Sequence, residues 1–211
     1  MMRFFHCCKV IIFIVITQVF VSMSASAQTV SGPDWPCVQA LVPEISAGTI
    51  WAGPLPESIE KNWYDDQEVA DSVYAITSRR AKLDQANSMI DEFANSREVE
   101  VKDEQLTLLF AGVLERLNKR RSEFIDGIKR FTRHQDEVAK KIEGHLNELA
   151  KLKGKADDAS NVQRAELEET IKWSKRMFED REKSIALLCE KPVQVDELAG
   201  ELARSIAAHI E

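Results

Sequence analysis

Residues Lys102 to Lys153 read KDEQLTLLFAGVLERLNKRRSEFIDGIKRFTRHQDEVAKKIEGHLNELAKLK, and this stretch decides the fold. One heptad register runs through thirteen positions from Phe110 to Leu152. Ten of them are apolar: Phe110, Leu114, Leu117, Phe124, Ile128, Phe131, Val138, Ile142, Leu149 and Leu152. Such a 4,3 alternation puts the apolar side chains on one stripe of a helix. Arg121, Gln135 and His145 are the exceptions. At 1.5 Å per residue the helix is roughly 78 Å long, well beyond the width of a small globule. The spacing therefore predicts a spine in an elongated molecule.

Flanking signals mark where the spine stops. Lys151 and Lys153 suit the carbonyl end of a helix, and Gly154 can take the left-handed conformation that closes it. Ser160-Asn161-Val162-Gln163 reads as a capping box for a third helix, which carries Leu167, Ile171, Phe178, Ile185 and Leu188 to about Glu190 and is terminated by Pro192. Val195, Leu198, Leu202, Ile206 and Ile210 define a short last helix. Upstream, Val69, Val73, Ile76, Leu83, Ile90 and Phe93 predict a first helix of roughly 29 residues, with Asp65 and Asp66 at its positive end and Asn95-Ser96 ending it.

Short loops between helices make them antiparallel neighbours. The first helix is then expected along the N-terminal half of the spine and the third along its C-terminal half. Between Leu106 and Phe131 the apolar stripe is widened by Leu108, Leu109, Val113 and Ile125, whereas beyond Val138 it is narrow. A bundle at one end and a thin two-helix arm at the other follow. The expected fold is all-α, an elongated antiparallel coiled coil or helical bundle with one long spine helix, preceded by an irregular strap.

That strap is residues 28–64. It holds five of the six prolines and Trp35, Trp51 and Trp63 among the four tryptophans. X-Pro steps disfavour helix, yet Trp35, Val38, Leu41, Val42, Ile45, Ile50 and Trp51 are too apolar to be left in water. The strap is expected to lie ordered on the bundle, in one domain with residues 65–211.

Residues 1–27 read as a cleaved signal peptide. Arg3 and Lys9 precede a twelve-residue stretch from Val10 to Val21 broken only by Thr17 and Gln18, and Ala25-Ser26-Ala27 supplies the cleavage site. The stretch is shorter than the ~20 residues of a membrane span. Cys7 and Cys8 lie before it and leave with it. The remaining chain carries 26 Lys+Arg against 35 Asp+Glu, net about −9, which argues against nucleic acid as a partner. Two cysteines remain, Cys37 and Cys189, and an exported protein most simply pairs them. Level counting puts Cys189 and the start of the first helix near spine residues 123–133, so the bridge would pin the strap at the waist. No Asn-x-Ser/Thr acceptor occurs, which favours the bacterial periplasm over a eukaryotic secretory route.

Four constellations invite a functional reading. Trp35, Trp51, Trp63 and Tyr64 could form a recognition surface or fill the wide end of the core. Arg116, Lys119, Arg120, Lys129, Arg130 and Arg133 are a basic excess that could dock an acidic partner or an anionic membrane surface, or pair internally with Asp65, Asp66, Glu68 and Asp71. Arg80 and Arg121 occupy stripe positions and could face a ligand together, or be neutralised by Asp84, Glu115 or Glu123. His134-x-x-Glu137 and His145-x-x-Glu148 share a helix face but stand about 16 Å apart, too far to share one ion, and read as surface residues.

No nucleophile elbow, Cys-x-x-Cys, haem-attachment motif or phosphate-cradling glycine loop occurs, and no cofactor or metal is implied. The sequence thus predicts a non-enzymatic, exported helical protein that works through contacts with another envelope protein, as an adaptor, chaperone-like accessory or assembly factor. The alternative is a homo-oligomeric structural or sensor element paired through the arm. An enzyme with an unrecognised site is the third reading.

Overall fold

The computed structural model describes residues 32–155 and 157–211; the expected signal peptide, with Cys7 and Cys8, lies outside them. The described residues form helices and no strand: α1 (Ala47–Ile50), α2 (Gln67–Ile76), α3 (Leu83–Asn95), α4 (Val99–Lys151), α5 (Asp158–Glu182) and α6 (Ile185–Ala207). Two 3-10 turns, Pro56–Ser58 and Trp63–Asp65, precede α2.

The spine α4 has 53 residues and starts three residues before the predicted Lys102, a length of about 80 Å. It ends where the sequence places its stop. The backbone of Gly154 has φ +87°, a conformation costly for any residue with a Cβ. Gln135 is buried in the seam and donates through Nε2 to the Phe178 carbonyl (3.2 Å), while Ile142 and Ile171 are buried where α4 and α5 pack. α5 therefore runs antiparallel to the C-terminal half of the spine, as predicted. Its cap differs: Asp157, not Ser160, is the N-cap, accepting from Ser160 N (2.9 Å) and Ser160 Oγ (2.7 Å). Those two bonds hold the Asp157 carboxyl below the usual carboxylate range.

Three further expectations about the helices fail. The predicted first helix is two helices. Thr77 closes α2: its hydroxyl donates to the Val73 carbonyl (2.6 Å), Arg116 Nε donates to that same hydroxyl (2.7 Å), and Arg120 donates to the Thr77 carbonyl. Apolar residues at 69, 73, 76, 83 and 90 keep one heptad phase across the break, so periodicity alone does not show it.

The direction of α2 is also reversed. Asp66 accepts from Gln105 (2.9 Å) at one end of α2, and Thr77 meets Arg116 and Arg120 at the other, so α2 runs parallel to the spine. Its acidic start therefore lies level with Gln105, not with residues 123–133. Asp66 caps α2 through Glu68 N and Val69 N. Burial pushes the Asp66 carboxyl up, but the bonds from Gln105 and these amides, with Arg97 nearby, outweigh it and leave it below its ordinary value. α3 folds back onto α2 and α6, and Arg97 beyond its end pairs with Glu68.

Finally, the third helix stops at Glu182 rather than Glu190, and Pro192 lies inside α6 rather than ending a helix. Pro192 falls eight residues into α6, where it removes one backbone donor, yet it is buried and the helix continues through it. α6 covers the N-terminal half of the spine antiparallel to it: Arg121 pairs with Asp196, and Lys102 with Glu211. α5 and α6 are thus successive rods laid head to tail along α4, broken at Lys183-Ser184.

The core sits at the wide end. Val69, Val73, Ile90, Leu106, Leu109, Leu117, Leu202 and Ile206 are fully buried there among α2, α3, α4 and α6. A second, smaller cluster at the waist joins Trp35, Cys37, Ile125, Ile128 and Cys189.

Candidate interaction surface

The strap is laid on the spine residue by residue, running against its direction. Asp34 pairs with Arg133 (2.8 Å). Cys37 and Cys189 form a disulfide with Cα atoms 5.6 Å apart, as the cysteine count predicts, and at the predicted waist. Further along, the Val42 and Pro43 carbonyls accept from Arg121 Nη1, the latter at 3.2 Å. Asn118 grips Ile45 at both backbone groups, accepting from its N–H (2.8 Å) and donating to its carbonyl (3.0 Å). Trp51 stacks on Phe110 with ring centroids 4.0 Å apart and planes 6° from parallel. Lys61 reaches Glu104 (3.1 Å) at the far end.

This placement sorts the tryptophans. Trp35 is buried at the waist and donates to the Gln39 carbonyl (2.8 Å). Trp63 is buried and donates to Glu115 Oε2 (2.8 Å). Trp51 is half-buried and donates to the Pro54 carbonyl (2.7 Å). All three pack the strap onto the spine; Tyr64 alone of the four aromatics is exposed.

Where the strap crosses α6 a groove opens, about 520 Å³ in volume. Pro36 and Val38 form one wall, Ile185, Ala186 and Val193 the other, and the disulfide lies along it. Gln39 and Cys189, both in its lining, are joined by Gln39 Nε2 donating to the Cys189 carbonyl (2.6 Å). Val38, expected to be buried, is 102% exposed: it follows Cys37, whose side chain is turned to the bridge with Cys189. Val193 is exposed on the α6 side. Glu190 and Glu197 are the charged residues among those lining the groove, which holds no lining cation. Sequence reasoning missed Val38, Val193 and Glu197: what makes them a surface is a crossing of segments some 150 residues apart.

The basic residues do not form one patch. Arg116 and Arg120 converge on Thr77, with exposed Lys119 beside them, while Arg133 is tied to Asp34. Lys129 and Arg130 lie between, half-buried and exposed respectively. The anticipated internal acids are engaged elsewhere: Asp66 caps α2, Glu68 pairs with Arg97, and Asp71 accepts from Gln67.

Nor do Arg80 and Arg121 face each other. Arg80 is exposed in the turn after α2, and Arg121 is buried with Asp196 Oδ1 2.6 Å from its Nε. His134 is exposed, 3.7 Å from Glu137, and His145 is half-buried in the α4 seam. Among the described residues no three potential ligands converge on a metal position, and no helix is long and apolar enough to cross a membrane. Comparison of the chain with protein-family models, with curated proteins and with solved structures finds no match.

Proposed function

We propose that this is an exported, non-enzymatic helical protein whose work is a protein–protein contact, as an adaptor, chaperone-like accessory or assembly factor of the cell envelope. One observation carries the reading: an apolar groove, stapled by a disulfide and offering a fully exposed valine, with Glu190 and Glu197 in its lining. An apolar wall of this kind gains by covering, and Glu190 and Glu197 select what covers it. The partner is a segment of another exported protein that presents apolar side chains flanked by Lys or Arg. The disulfide and the spacing of Arg3, Val10–Val21 and Ala25–Ala27 support export.

Photocrosslinkers placed at Val38 and at Val193, in the protein within its native envelope, test this. One discrete partner is expected at both positions, captured less at high salt and lost when Glu190 and Glu197 are both changed to Lys. Capture that ignores the charge reversal, or is equal at an exposed control such as Lys172, sinks the proposal.

A second reading has its own observation. The arm leaves Leu146, Trp173 and Met177 exposed, apolar surface that pairing with a second copy would cover. Light scattering decides it: a mass equal to one chain at all concentrations removes the oligomer.

A further inference from the structure

Where α2 ends against the spine, cations gather without matching acids. Arg79, Arg116, Lys119 and Arg120 line a notch of about 230 Å³ beside Thr77, and Glu123 is its single acid. Glu123 is engaged by Arg79 (3.0 Å). Arg116 spends Nε on the Thr77 hydroxyl and lies over the Tyr74 ring, 4.4 Å from the centroid; Arg120 spends one N–H on the Thr77 carbonyl. The rest of their guanidinium donors, and the whole Lys119 ammonium, have no acceptor among the described residues.

The charge count decides between a capped helix end and a ligand site. Four cations line the notch against one carboxylate and the carbonyl end of a helix, equivalent to roughly half a negative charge, and Lys119 also borders the hollow lined by Glu44, Glu115 and Asp126. With Lys119 set against those acids, about one and a half positive charges stay unmatched on Arg79, Arg116 and Arg120, inside a chain that is acidic overall. Burial, with Arg79 and Arg116 beside it, pushes the Arg120 guanidinium down from its usual pKa, and Glu123 counters only part of this. A cap alone needs one of these cations. A phosphate monoester carries about −1.5 to −2 charge and three acceptor oxygens, which match both the surplus and the fork-shaped donors of arginine. The notch is smaller than the ~300 Å³ at which drug-sized pockets begin, so it suits a phosphate with a small ester rather than a large cofactor.

We propose that this notch is an anion site that binds the phosphate group of a small phosphate ester, with Arg116 and Arg120 as the fixed donors and Lys119 and Arg79 closing over it. The site is independent of the groove at the disulfide. It stands or falls whether or not a protein partner is found there.

Thermal unfolding of the whole protein, titrated with inorganic phosphate and with glycerol phosphate at constant ionic strength held by chloride, is the test. Saturable stabilisation by both is expected, with no such effect from added chloride. Lys119→Gln removes an exposed ammonium that holds no structural bond, so the free variant should melt like the parent while its phosphate affinity falls severalfold. Arg120→Gln should weaken binding about tenfold or more. Arg133→Gln, remote from the notch, should leave binding unchanged.

Flotation with phosphatidylcholine vesicles containing phosphatidic acid tells the sources of the phosphate apart. Co-flotation that needs Lys119 and Arg120 assigns the phosphate to a lipid headgroup, and its absence beside phosphate-ester binding assigns it to a free ester. No saturable effect from any of the three probes, or an effect that survives both notch variants, overturns the proposal.

Discussion

Arg121 interrupts the apolar stripe of the spine, and its neighbours explain why it stands there. Its side chain is 7% exposed, whereas that of its partner Asp196 is 42% exposed. The guanidinium also holds the Val42 and Pro43 carbonyls, so one cation joins the spine, α6 and the strap. The asymmetry in burial predicts an asymmetry in cost. Asp196→Ala strands a buried charge and should lower stability by about 3 kcal/mol. Arg121→Met keeps the packed stem and leaves only groups that reach water, costing about 1–2 kcal/mol. The double variant should resemble Arg121→Met alone, because the two changes remove one interaction. Urea unfolding of the three variants measures this; a milder loss for Asp196→Ala would show that Arg121 is adequately solvated without its acid. The sequence marks the anomaly at residue 121 but not the partner, which lies 75 residues away with no local spacing to betray it.

At the scale of elements, three glycines along α4 make the same residue type mean opposite things. A Cβ on Gly112 would meet Val73 Cγ2 at 2.6 Å and the Trp63 ring at 2.8 Å, so this glycine lets α2 and the strap approach the spine. Gly144 has nothing within 4 Å of such a Cβ, and Gly127 only the tip of Arg130. Gly112→Ala should therefore destabilise by about 2 kcal/mol, the overpacking exceeding the gain in helix propensity. Gly127→Ala and Gly144→Ala should each stabilise by about 0.5–1 kcal/mol. Thermal unfolding reads all three, and a stable Gly112→Ala protein would mean that Trp63 is free to withdraw.

The same helices show what local pattern can and cannot carry. Ten apolar residues in thirteen positions foretell the spine and its end at Gly154, because periodicity and stop signals are local. The break at Thr77 and the passage of α6 through Pro192 escape notice. Distant side chains decide the first, since Arg116 and Arg120 close α2, and Pro192 is buried within a helix that continues through it. The disulfide was legible from cysteine arithmetic alone; the groove beside it was not, since Val38 looks like a core residue until the crossing of strap and α6 is seen.

For the molecule as a whole, burial is divided unequally and stability should follow it. The wide end encloses a run of fully buried residues on four helices, whereas the α4–α5 arm buries Ile142, Leu152 and Ile171 incompletely and leaves Leu146, Trp173 and Met177 in water. Helix pairs with so little apolar burial open locally at low cost. The disulfide closes a sequence separation of 152 residues, worth up to about 5 kcal/mol in the chain-entropy view, but it acts at the waist and not in the arm. Hydrogen exchange followed by mass spectrometry should then resolve three tiers. Amides of residues 140–150 and 162–176 should exchange first, those of the strap next, and those of residues 106–117 and 199–206 last. Cys189→Ser should speed exchange in the strap and across the first turns of α6, lower the melting temperature, and leave the arm's already rapid exchange unchanged. One common rate for arm and bundle, or a uniform acceleration in Cys189→Ser, would instead make the molecule a single cooperative unit. The arm could not then yield locally to a partner while the stapled groove keeps its shape.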